Sequence, residues 1–282
     1  MKKSQLGINS VSTKGTLEEK LFAYHRAGFT QVEFVLSDVK DYLQRGHSTA
    51  DVQKLLEENQ LSCIGGFECG VEAFSTSEAR ASNQALLVEN AKLLGQLGAT
   101  TMVVGTDGPP QGSTLDAESI IEEIAQAFSV VAKKIAASGV TLCIEFNWSP
   151  VVKSLRTAAE IAQRANELGG VSNVGVLFDP AHYHCTPTKF EELSTENIAL
   201  IKHVHVDDMA DKPGELSNCN SDRVLPGQGI LDLPALFGRI ESAGYRGNFS
   251  IEMFSDELWS LPSEAAAQRM MKSLLPLCED GS

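Results

Sequence analysis

The chain has no apolar run long enough to cross a bilayer, and Lys2 and Lys3 near its start have no apolar stretch behind them. Neither a spanning helix nor a secretory leader is expected, and a cytoplasmic location with no membrane partner is the expectation. Basic residues are scarce as well: 23 Lys and Arg stand against 37 Asp and Glu, a formal net charge of −14. Nucleic-acid affinity rests on Lys and Arg neutralising phosphates, so no nucleic-acid partner is expected. A small neutral or metal-bridged substrate suits this charge better. The six cysteines, at 63, 69, 143, 185, 219 and 278, contain no C-x-x-C pair. In a chain of 282 residues they read as reduced thiols, and Cys143, inside a strand-like run, reads as a small core residue. No G-x-G-x-x-G follows the first apolar run, which leaves a doubly wound open sheet without its main support.

What is present is alternation. Short β-branched runs at Leu6–Asn9, Gln31–Val35, Leu61–Phe67, Thr100–Val104, Thr141–Phe146, Val174–Asp179, Lys202–Asp207 and Asn248–Met253 predict strands. Helical patterns fall between them, near 16–27, 49–59, 84–97, 117–138, 155–168, 189–196, 232–243 and 263–277. Gly28, Gly98, Gly139 and Gly244 each sit just past a helical pattern and before a strand, where a C-cap belongs. Eight βα units without a linker or a low-complexity segment predict one α/β domain over 1–282, a closed (β/α)8 TIM barrel. The oligomeric state is open, a homo-oligomer included.

Four of the six histidines lie between positions 182 and 205, each pair at the end of an apolar run. The runs are Phe178-Asp179-Pro180-Ala181-His182-Tyr183-His184 and His203-Val204-His205-Val206-Asp207-Asp208. Charge at the end of a buried strand is costly, and a parallel α/β protein keeps its chemistry there. A strand's side-chain period of two sorts the faces. Leu142, Ile144, Val174, Val176, Phe178, Val204, Val206, Phe249 and Ile251 then face the helices. Glu145, Asp179, His205 and Glu252 face the barrel interior on four successive strands. Each has an ordinary structural explanation taken alone; Asp179 before Pro180, for example, is a helix N-cap pattern. Together, three converging carboxylates repel one another unless a divalent cation joins them. Carboxylates with one imidazole suit Mn²⁺ or Mg²⁺, with Co²⁺ or Zn²⁺ as further options.

These stretches, with Asp222-Arg223-Val224-Leu225-Pro226-Gly227-Gln228-Gly229 and Ser250-Ile251-Glu252-Met253-Phe254, resemble the xylose isomerase-like TIM barrels. That superfamily holds sugar isomerases, epimerases, dehydratases and endonuclease IV. The likeness covers essentially the whole chain, is sharpest from 174 to 266, and runs nearest to the inosose (2-keto-myo-inositol) isomerases of inositol catabolism. It implies metal ligation by Glu145, Asp179, His205 and Glu252, and substrate contacts from His182 and Arg223. His203 lies one layer deeper than His205 and reads as a supporting core residue. His184 fits a rim contact or a structural role equally. The long segment from Asp208 to Leu231 is expected to cover the site, with Arg223 held over the barrel mouth.

The activity so implied is that of a metal-dependent isomerase or epimerase of a keto-inositol or keto-sugar. Glu145 and Glu252 would move a proton next to a carbonyl through a metal-stabilised enediolate, with His182 and Arg223 assisting. The alternative is a metal-dependent dehydratase of an inosose or a 3-dehydroshikimate-like ring, which needs the same groups. A phosphodiesterase of the endonuclease IV type would need more ligands and a basic face. A partner-dependent barrel is a further option.

Overall fold

A computed structural model of the protein describes residues 1–278. The apolar runs form parallel strands β1 (Leu6–Asn9), β2 (Gln31–Val35), β3 (Ser62–Phe67), β4 (Thr101–Val104), β5 (Thr141–Glu145), β6 (Val174–Phe178) and β7 (Ile201–Val206). Two short strands of two residues each, β8 (Asp208–Met209) and β9 (Arg223–Val224), pair antiparallel next, and β10 (Phe249–Ile251) is the last parallel strand. The order β1-β10-β7-β6-β5-β4-β3-β2, with β1 also paired to β2, closes a single (β/α)8 barrel. Helices cross from each strand to the next, as parallel pairing requires. Among the described residues no helix is long and apolar enough to cross a membrane.

The two faces of each strand build two separate apolar layers. Leu142, Ile144, Val174, Val176, Phe178, Val204, Val206, Phe249 and Ile251 are fully buried between strands and helices. Each large apolar side chain so buried contributes about 1.5–3 kcal/mol. Inside the barrel, Val103, Cys143 and Leu177 form a small second cluster against Phe67 and Trp148. Cys143 is therefore packing, and burial pushes its thiol far above the usual range. All six cysteines are free thiols.

Local chemistry moves some expected boundaries. The helix expected over 189–196 is instead a 3-10 turn at Phe190–Glu192 and a helix at Thr195–Leu200. Ser194 separates them because its side chain accepts from the Asn197 N–H and so caps the second. A helix at Leu36–Gln44, which the sequence pattern did not suggest, starts directly where β2 ends. Ser10 secures that junction: its hydroxyl accepts from the Val35 N–H at 2.9 Å and donates to Asp38 at 2.7 Å. Lys20 adds a 2.8 Å ion pair to the same carboxylate.

Candidate active site

β6 ends at Phe178, and the chain turns into a short helix, Pro180–Cys185. Asp179 is the N-cap of that helix: its Oδ1 accepts from the His182 N–H at 2.9 Å. Its Oδ2 is left to face the barrel interior. The cap and the inward carboxylate are thus the same residue using its two oxygens for two purposes.

Around this point the structure gathers the expected set. His205 Nδ1 lies 3.3 Å from Asp179 Oδ2, 3.3 Å from Glu252 Oε2 and 3.7 Å from Glu145 Oε1. One ligand-type atom from each of Glu145, Asp179, His205 and Glu252 falls within 4.8 Å of all the others, and all four residues are buried. Asn9, at the end of β1, orients Glu252 by donating from Nδ2 to Oε1 at 3.0 Å.

Arg223 is placed differently from the expectation. Rather than over the mouth, the guanidinium is fully buried among the carboxylates. Nη2 lies 3.0 Å from Asp179 Oδ2, and Nη1 lies 3.0 Å from Glu252 Oε2. Nη1 is also 2.7 Å from Asp207 Oδ2, a charge contact off the hydrogen-bond line, since that oxygen makes no hydrogen bond. Nε donates to the Cys219 carbonyl at 2.6 Å. Pairing of Arg223 with Asp222 or Asp208 does not occur. Asp222 pairs with Lys212 at 2.8 Å, and Asp208 accepts from the N–H groups of Met209, Gly227, Gly229 and Leu231. The position of Gly229 requires a glycine, because a Cβ there would lie 2.3 Å from Asp208 Oδ1. Asp208 therefore fixes the loop that carries Arg223 inward. His184 also holds this loop, its Nε2 2.8 Å from the Lys212 carbonyl.

His182 connects to Glu145, its Nε2 3.2 Å from Oε1. Its Nδ1 lies 3.0 Å from Nδ2 of Asn147. Lys153 donates to the Asn147 side-chain oxygen at 3.0 Å, which leaves the Asn147 amide nitrogen facing the ring as donor. Asn147 takes the left-handed backbone, φ 78°, where a side chain other than glycine is uncommon.

Two more interior residues join the set: Asp207, which strand parity turns inward together with His203 and His205, and Glu33, which no motif of the sequence marked. Glu33, in the middle of β2, is fully buried and accepts from both His203 Nε2, at 3.0 Å, and His205 Nε2, at 3.1 Å. Asp207 is buried beside Asp179 and accepts the Ala181 N–H at 2.9 Å. For Glu33 the signal was available, since Val32 and Phe34 belong to the outer layer and alternation turns Glu33 inward.

The charges follow from this packing. Burial favours the neutral form of Asp179, yet Arg223 and His182 hold its carboxyl well below the usual range. Burial and the Asp179 charge push Asp207 well above it. Burial opposes a charged His205, but Glu252 and Glu33 raise its imidazole well above the ordinary value. The carboxylates of residues 145, 179 and 252 therefore share one guanidinium, beside an Asp207 whose negative form is disfavoured, and the cluster calls for added positive charge at His205 Nδ1.

A divalent cation fits that demand. Oxygen and nitrogen ligands about 2.1 Å from a common ion stand about 3 Å apart, close to the 3.3–3.7 Å separations around His205 Nδ1. Three carboxylates and one imidazole form a mixed donor set that Mn²⁺, Mg²⁺, Co²⁺ and Zn²⁺ all accept.

The set opens into a cavity of about 290 Å³ at the C-terminal ends of the strands, lined by Glu145, His182, Arg223 and Glu252. Phe67, Trp148 and Phe254 form its apolar wall. Among the described lining residues the sole Lys or Arg is Arg223, already bound by three carboxylates.

Comparison with known proteins follows the same lines. The Xylose isomerase-like TIM barrel family matches residues 21–277. A 3-dehydroshikimate dehydratase of Pseudomonas aeruginosa is 28% identical over 98% of this chain and 42% of its own length. An inosose isomerase of Bacillus subtilis is 33% identical over 48% of this chain and 48% of its own length. The chain thus spans about half the length of these curated relatives, or less. The crystal structure of the IolI protein with a bound zinc atom superposes with a TM-score of 0.84 at 22% identity, covering 97% of each chain. The chain belongs to the xylose isomerase-like TIM barrel family.

Proposed function

We propose that this chain is a divalent-metal-dependent isomerase or epimerase that moves a proton next to the carbonyl of a keto-inositol or keto-sugar. The observation that carries the proposal is the convergence of Glu145 and Glu252, from the fifth and last parallel strands, on one small cavity walled by aromatic rings. A divalent ion, Mn²⁺ for preference, held by Glu145, Asp179, His205 and Glu252, would supply Lewis-acid chemistry at the carbonyl.

The chain's own residues supply the rest. Glu145 and Glu252 reach the cavity as the groups that take and return the proton, a contribution of roughly 10²–10⁴-fold. His182 reaches Glu145 through Nε2 and lines the same cavity, where it can pass a proton between substrate oxygens. Arg223 holds Glu252 and Asp179 in place and adds a positive field toward developing oxyanion charge. The aromatic wall keeps water away from the reacting carbon. A neutral cyclitol or sugar suits this cavity better than a carboxylate-bearing ring, because no uncommitted Lys or Arg lines it among the described residues.

Dehydration is the second reading. It is favoured by the likeness to a 3-dehydroshikimate dehydratase along 98% of the chain. It uses the same base and loses a β-hydroxide where the isomerase reprotonates carbon. Incubation of the Mn²⁺-loaded protein with keto-inositols, ketohexoses and 3-dehydroshikimate in D₂O separates the two. Deuterium at the carbon next to the carbonyl, without loss of mass, supports the isomerase. A product lighter by one water, and no exchange into recovered substrate, would replace it with the dehydratase.

A further inference from the structure

Below the cavity floor, Glu33 spans two imidazoles from a strand far away in sequence. His205 Nε2 lies 3.3 and 3.1 Å from the two oxygens of Glu33, and His203 Nε2 lies 3.0 Å from one of them. All three side chains are essentially without solvent contact. The two rings are nearly perpendicular, 81°, which lets both Nε2 atoms point at one carboxylate while His205 Nδ1 points the other way. An ionised carboxylate only accepts hydrogen bonds, so both Nε2 atoms must carry hydrogen. A neutral imidazole has one N–H. If His205 spends it on Glu33, its Nδ1 is left with a lone pair, directed at Glu145, Asp179 and Glu252.

We infer that Glu33 is a positioning residue: it fixes His205 in the Nε2–H form so that Nδ1 can ligate the cation, and His203 holds Glu33 by donating to the same carboxylate. The inference rests on the proposed metal site and deepens it. A buried carboxylate facing a single imidazole would be poorly satisfied, and His203 supplies a second donor. The arrangement orients a ligand through its far nitrogen, and loss of such an outer partner costs about 10–100-fold in metal affinity. The same three side chains could hold an ion themselves. That alternative takes both Nε2 lone pairs and leaves neither ring a proton for Glu33, so it predicts a different tautomer and a second bound ion.

The test uses the full chain labelled with ¹⁵N-histidine. Long-range ¹H–¹⁵N spectra of the Zn²⁺-loaded wild type should show His205 protonated at Nε2 alone, with one Zn²⁺ per chain by elemental analysis. Glu33→Gln keeps the side-chain volume and removes the charge, and Glu33→Asp withdraws the carboxylate. Both should bind Mn²⁺ about 10–100-fold more weakly in chelator competition. Glu33→Gln should also weaken the His205 Nε2–H signal in the metal-free protein, a change that a merely structural Glu33 would not produce. Wild-type Mn²⁺ affinity in a folded Glu33→Gln, two ions per chain, or an unprotonated Nε2 in the loaded wild type would each overturn the inference and leave the four-residue site standing. Failure of the wild type to bind any divalent ion would overturn both.

Discussion

Arg223 Nη2 sits 3.0 Å from Asp179 Oδ2, and neither side chain meets solvent. A loop residue is thereby the internal counter-charge of the carboxylate cluster. Removing one partner of a buried pair strands the other and costs about 3–5 kcal/mol. Arg223→Ala should therefore lower the melting temperature of the metal-free protein as well as turnover. Arg223→Lys should recover only part of either, because a point charge cannot reach Asp179, Asp207 and Glu252 together. A metal-free Ala variant that melts like wild type would remove the counter-charge role.

Glu252 tests the opposite balance. Its two oxygens accept from Asn9 and Arg223, and a glutamine fills the same space while keeping one of the two acceptors. Removing one of the clustered carboxylate charges relieves repulsion. Glu252→Gln should lose roughly 10²–10⁴-fold in turnover. The metal-free variant should melt no lower than metal-free wild type. A large fall in that melting temperature would make Glu252 a structural residue.

Metal linkage can be read without any substrate. A ligand that binds only the folded state stabilises it by about 2.7 kcal/mol at a concentration of 100 Kd. Mn²⁺ should raise the wild-type melting temperature in a concentration-dependent way. His205→Ala removes the nitrogen at the centre of the cluster and should abolish both the shift and stoichiometric metal. Wild-type stoichiometry in this variant would sink the four-residue assignment.

Asn147 offers a comparison of two substitutions. Its backbone is left-handed, and its side chain directs the His182 ring. Both Asn147→Gly and Asn147→Ala lose the contact to Nδ1, so both should lower kcat similarly. Only the alanine meets the left-handed penalty of roughly 1–2 kcal/mol. Calorimetry should rank glycine above alanine in stability. Equal melting temperatures would mean that the turn imposes no strain at this residue.

The sequence by itself carried the barrel and much of its inner wall. Strand parity is local, so alternation alone assigned Leu142, Ile144, Val204 and Val206 to the outer layer and turned Glu145, Asp179, His205 and Glu252 inward. His182 and Arg223 came from the family likeness, and the structure lines the cavity with both. Boundaries were less legible where a single cap decides them, as Ser194 does for the helix Thr195–Leu200.

Other relationships belong to the closed barrel alone. Glu33 and His203 are 170 residues apart. Parity could turn Glu33 inward, but what it would meet depends on how the strands stagger when the sheet closes. Arg223 read as a cation of the cover loop held over the barrel mouth, because nothing in its neighbourhood marks it as buried. The pairing of Met209 with Arg223, together with the four N–H groups gathered on Asp208, draws it inside. A strand's side-chain period is written in adjacent residues, whereas a contact across the barrel is set by closure, which joins segments that carry no local record of one another.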